Sequence, residues 1–186
     1  MNRAGRYSSR SVKSSARLLL RFAWAFSLVL LAPGLAAATE KCGAVCDETW
    51  TFADSPYVVT CDVSVAEVCS LTVEAGVEVR FQVGTTLSVT GHLDVNPTAG
   101  DPVTFTSDSE SPAPGDWAGI ALGGSATATV KSASITYAVD GIRIAGDSTA
   151  TLNDVTVTES GSGVYVYWNG SATLTNVTSR LNDHGL

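Results

Sequence analysis

The sequence is short of most things that catalysis or nucleic-acid binding draws on. Its two histidines, His92 and His184, stand alone, and no Ser-His-Asp arrangement, HExxH motif or phosphate-cradling glycine loop occurs anywhere in the chain. Catalysis within these residues is therefore not expected. Bases are also scarce, with 11 Lys and Arg against 18 Asp and Glu. Six of the 11 bases lie in the first 21 residues, so the remainder carries five against 18, a formal charge of −13. Such a surface repels nucleic acid and anionic lipid, and leaves neutral glycans, cations or calcium-bridged acidic polymers as partners. No apolar run is long enough for a membrane-spanning helix, and no segment has helical periodicity.

Residues 1–38 read as an address. Arg3, Arg6, Arg10, Lys13, Arg17 and Arg21 form a basic region, Phe22 to Leu31 an apolar one broken by Pro33-Gly34, and Ala36-Ala37-Ala38 a cleavage site. Cleavage after Ala38 is expected, giving a secreted, extracellular or surface protein, or a periplasmic one, with no remaining membrane span. No Cys adjoins the cleavage site and no Arg-Arg pair precedes the apolar region, which argues against a lipid anchor there and against twin-arginine export.

What the chain has in quantity is repetition. Gly119, Gly141, Gly163 and Gly185 recur at a step of 22, each followed by an aliphatic residue: Ile120, Ile142, Val164 and Leu186. The same step links Leu122, Ile144 and Val166, then Val130, Leu152 and Leu174, then Thr129, Thr151 and Thr173. Units this short cannot bury a core alone and must stack as a solenoid. Within a unit, Ile142 and Ile144 alternate with Arg143, and Val164 and Val166 with Tyr165 and Tyr167, the parity of a strand with one face buried. That parity switches once at Asn153-Asp154, so a corner is expected there, and at Lys131-Ser132 and Thr175-Asn176 on the neighbouring coils. The leucine-rich signature, which has a similar length, is absent.

With Gly115-Asp116-Trp117-Ala118-Gly119-Ile120 and the lead-in Leu71 to Val79, the pattern from Trp50 to Leu186 resembles the right-handed parallel β-helix repeat proteins of bacteria, which share their fold with pectate lyases. The resemblance implies an all-β, right-handed parallel β-helix of about 22 residues per coil. Its implications for activity are broad, since such folds include polysaccharide lyases, glycoside hydrolases and adhesins. Lyases of this kind use a calcium-binding Asp cluster with a nearby Arg or Lys, and the outward residues here do not assemble into that set. The His184-Gly185 pair is similar to a glycosidase fragment without its partner carboxylates.

We expect three segments: the leader 1–38, an N-terminal cap 39–69, and the β-helix 70–186, supplying roughly five turns at the strand spacing of about 4.8 Å. Cys42, Cys46, Cys61 and Cys69 all fall in the cap, and an even count in an exported chain reads as two disulfides with three pairings open. Their spacing fits no common zinc finger. A disulfide-stapled cap would cover the first coil's exposed edge. At the other end the chain stops at the start of an inward strand, so truncation, or pairing with another chain, is expected.

Three candidate sites remain. Asp101, Asp108, Glu110 and Asp116 lie in or beside a polar, proline-rich loop, Ser107–Asp116, where calcium could be held. Arg143, Tyr165, Tyr167 and Trp168 form an outward cationic and aromatic patch suited to stacking sugar rings, with Arg over Tyr as a cation–π contact. Asn169 and Asn176 begin glycosylation sequons. The reading of function is a non-catalytic secreted or cell-surface stalk, structural or adhesive, that touches polysaccharide or other surface proteins. The alternative is a polysaccharide lyase or glycoside hydrolase whose catalytic residues lie beyond Leu186.

Overall fold

A computed structural model describes residues 37–96, 98 and 100–185, all within one compact unit, Leu35–Leu186. The expected leader, apart from Ala37 and Ala38, and the terminal Leu186 lie outside the described residues. No described helix is long and apolar enough to cross a membrane.

The chain is an all-β parallel solenoid of about six turns. Its strands stack on three faces. The first face carries the second half of β1 (Thr39–Val45) and of β3 (Tyr57–Val65), then β6 (Thr86–Val89), β9 (Gly119–Leu122), β11 (Asp140–Ile144) and β13 (Ser162–Val166). The second carries β2 (Glu48–Trp50), β4 (Ser70–Val73), β7 (His92–Val95), the first halves of β10 (Thr127–Thr136) and β12 (Thr149–Thr158), and β14 (Ser171–Thr175). The third carries the first halves of β1 and β3, β5 (Glu78–Phe81), β8 (Val103–Ser107), the second halves of β10 and β12, and β15 (Thr178–Arg180). Rungs of all three faces thus include residues from 39 onward.

The 22-residue step is the register itself. Leu122, Ile144 and Val166 lie side by side on the first face, and Val130, Leu152 and Leu174 on the second. Every second residue points inward, and the column of Val, Leu, Ile, Phe and Trp so formed is one continuous core. Each such side chain contributes roughly 1.5–3 kcal/mol by leaving water, which a single coil could not collect without neighbours. Beside the 107–118 loop, Phe81 and Trp117 stack 3.9 Å apart in the core, and the Trp117 indole nitrogen donates to the Thr136 carbonyl at 2.8 Å.

Corners are made by left-handed residues in columns. Ser132, Asp154 and Asn176 have φ of 45°, 56° and 52°, at the parity switch the sequence marks. Asn176 Nδ2 donates to Asp154 Oδ1 at 3.1 Å, tying one corner to the next. The glycine column answers a different need: a Cβ at Gly119 would stand 1.7 Å from the Asp140 carbonyl oxygen, and one at Gly141 2.4 Å from Val157 and 2.7 Å from the Gly163 oxygen. Successive coils approach too closely there for any side chain.

The disulfides are Cys42–Cys61 and Cys46–Cys69. Each joins matching corners of the first two coils, so the sequence separations of 19 and 23 straddle one turn. Beneath them, the stacked rings of Trp50 and Tyr57, 5.0 Å apart, close the bottom of the core, with the Lys41 ammonium 5.8 Å from each ring centre.

Candidate functional site

On the first face the outward column begins with small residues and ends with large ones. Ala44, Ser64, Ser88 and Ala121 give way to Arg143 and then Tyr165. Beyond β13 the chain turns tightly, with the Tyr167 amide donating to the Ile144 carbonyl and the Gly170 amide to the Tyr167 carbonyl. On the two preceding coils this corner holds Gly124 and Gly146, at φ of 61° and 66°; here Trp168 stands in their place at φ 45°, followed by Asn169 at 62°. A bulky residue in the left-handed region is a genuine outlier, costing on the order of 1–3 kcal/mol unless the surroundings impose it.

The result is an aromatic ledge. Tyr165 and Tyr167 stack with ring centres 5.0 Å apart and planes inclined by 21°, and Tyr167 meets Trp168 at 5.1 Å and 54°. Trp168 is 78 % exposed and Tyr165 50 % exposed, while Tyr167 is half-buried between them. Beside Tyr165 opens a cleft of about 460 Å³ lined by Ser162, Val164, His184 and Gly185. Arg143, one coil below Tyr165, is half-buried and has no ion-pair partner among the described residues. The arrangement offers flat apolar faces, a free guanidinium and a hydrogen-bonding cleft, the equipment for holding a sugar ring by face and edge.

The sequence brings Arg143, Tyr165, Tyr167 and Trp168 together, and so does the structure. The contact within the patch is ring on ring, whereas the cation–π contacts among the described residues belong to Lys41. His184 and Ser162 were not part of the expected patch. They join it because they pair across consecutive coils, a juxtaposition signalled only by the 22-residue step from Gly163 to Gly185.

The four carboxylates assigned to calcium are not gathered in one place. Asp116 Oδ2 accepts from Ser107 Oγ at 2.6 Å and from the Ala113 amide at 3.1 Å, which folds the loop on itself. Asp108 lines a separate open cleft with Gln82, Val83 and Ser109, and Asp101 uses its backbone oxygen to accept from Gly76 and Asn96. No three His, Cys, Asp or Glu side chains among the described residues converge as an ion-holding group. His92 bonds Thr127 Oγ1 through Nδ1 at 2.7 Å, and both sequon asparagines are exposed at corners.

A family model described as a pectate-lyase like beta helix domain matches residues 43–176. No curated protein and no solved structure matches the chain.

Proposed function

The chain belongs to the pectate-lyase-like beta-helix family, and from that premise we propose that it is a non-catalytic exported stalk whose aromatic ledge holds a saccharide. The observation that carries the reading is Trp168, which occupies a glycine's backbone conformation in order to present an indole that is 78 % exposed beside stacked Tyr165 and Tyr167. Strain of this kind persists where function selects it. The basic and apolar leader and two disulfides support export. Outward columns of Thr and Ser, with few carboxylates, support a scaffold over an enzyme. Arg143 sits where it can hydrogen-bond the ring's edge.

Retention on immobilised neutral polysaccharides tests this. Tyr165→Ala and Trp168→Ala are expected to abolish retention, and Trp168→Gly to abolish it while stabilising the fold by about 1 kcal/mol, because glycine relieves the left-handed backbone. Unchanged retention in folded Trp168→Gly protein, or no retention of the parent chain on any such matrix, refutes the reading.

A further inference from the structure

The second face carries a different surface. Its outward positions on β10, β12 and β14 include Thr127 and Thr129, Thr149 and Thr151, and Ser171 and Thr173, paired rung to rung, with Lys131, Asn153 and Thr175 next along the strands. Two straight columns of hydroxyls result, with neighbours about 4.8 Å apart along the solenoid and about 6.6 Å apart along each strand. In these columns all but half-buried Thr129 are exposed. Apart from the Thr127 bond to His92, none of these hydroxyls bonds a side chain or backbone group among the described residues. The third face also presents threonines, but its columns are half-buried over most of their length, are tied internally by the Thr136 to Thr106 hydroxyl bond at 2.9 Å, and end on Arg180.

We propose that these rows bind ice. The rows run along one face of a parallel sheet over three rungs, so their ligand is extended rather than a small molecule held in a concavity. Over these three rungs both columns are uncharged in a chain with 18 acidic groups, which matches a neutral ligand; one rung below, the columns pass into His92 and Asp94, and Lys131 stands beside them on β10, so the neutral array is this six-residue block. Its three rungs hold no Phe, Tyr or Trp, so sugar stacking has no purchase there. A lone threonine cannot distinguish solid from liquid water, because one hydrogen bond merely replaces another at little net gain. A rigid two-dimensional array can, because a solid repeats its bonding positions and a liquid does not. In-register pairing fixes the rows, the β-branched side chain restricts each hydroxyl, and the ordering cost of binding is met in advance. The threonine methyls lie beside the hydroxyls and add apolar contact.

The test uses the full disulfide-bonded chain, measuring thermal hysteresis and the uptake of fluorescently labelled protein into a growing ice hemisphere. The parent chain is expected to be taken up and to shape crystals. Thr151→Tyr, which breaks the plane, should lose both effects with an unchanged circular-dichroism spectrum, whereas Thr156→Tyr on the third face should keep them. If the tyrosine disturbs folding, exposed Thr149→Lys provides the same disruption. Tyr165→Ala leaves ice uptake intact on this proposal, which separates its outcome from that of the saccharide reading. Exclusion of the folded parent from ice overturns the proposal, as does full activity in Thr151→Tyr. Adsorption to crystalline cellulose without ice uptake also overturns it, assigning the rows to a solid polysaccharide.

Discussion

Trp50 and Leu174 occupy the same inward column of the second face, on the first and last described rungs of that stack, yet Trp50 is fully buried and Leu174 is 40 % exposed. The first face repeats the contrast, with Val45 buried and Val166 40 % exposed. Facing inward is fixed by strand parity, but coverage is supplied by a neighbour. At the bottom the neighbour is replaced by large rings and their bonds: Trp50 on Tyr57, the indole donating to Glu48 Oε2, and Lys41 bonding the same carboxylate. The last described coil has small and aliphatic residues there instead. Among the described residues, the ring-closed coils should therefore resist local opening better than the coil that carries Val166 and Leu174.

The sharpest way to break that comparison is to truncate matched positions. Trp50→Ala is expected to cost about 3–5 kcal/mol, the usual penalty for emptying a buried aromatic site, while Leu174→Ala costs about 1 kcal/mol or less, since much of its surface already meets water. Denaturant unfolding compares the two, and equal losses would show that both ends are closed alike. A second test removes Cys46–Cys69 by paired serine substitution. Closing a loop of this size stabilises by roughly 3 kcal/mol, so the first coils should become protease-sensitive while the last are unaffected. The smallest expected effect is on pH. Burial raises the Glu48 pKa, but hydrogen bonds from Lys41 and Trp50 and the Lys41 charge outweigh it, leaving the carboxyl below its ordinary range. A group depressed on folding adds stability that is complete above its unfolded pKa and lost as pH falls through the folded one. Protection of the amides around Trp50, taken relative to their intrinsic exchange rate, should therefore fall on acidification below the ordinary glutamate range, and Glu48→Gln should blunt that change.

Much of the fold can be read from residues 119–185, and less from those before. From Gly119 on, every step is 22, so parity and corner predict register residue by residue. Upstream, the extra residues between β7 and β8 and in the 107–118 loop stretch the step to 33 and 35, and the phase is lost. That is why 39–69 reads as a cap of cysteines although its strands enter the same stacks, and why three disulfide pairings stay open. Bridges between matching corners become evident only once one turn is known to separate them. The aromatic patch is legible because Arg143 and Tyr165 share a register position. Trp168's strained backbone is not, since its glycine equivalents, Gly124 and Gly146, point to it only after the corner has been located. The threonine rows are visible as a period, but their freedom from internal bonds is a property of the packed surface.

Three consecutive coils that repeat at one fixed interval make length a free variable. Excising residues 141–162 would join Asp140 to Gly163 and set each residue over the one at its own register position, Gly163 over Gly119 and Thr173 over Thr129. Duplication would do the reverse. A gene can thus change the reach of this molecule by slippage within its own repeats, one coil at a time, while the register of the stack is kept.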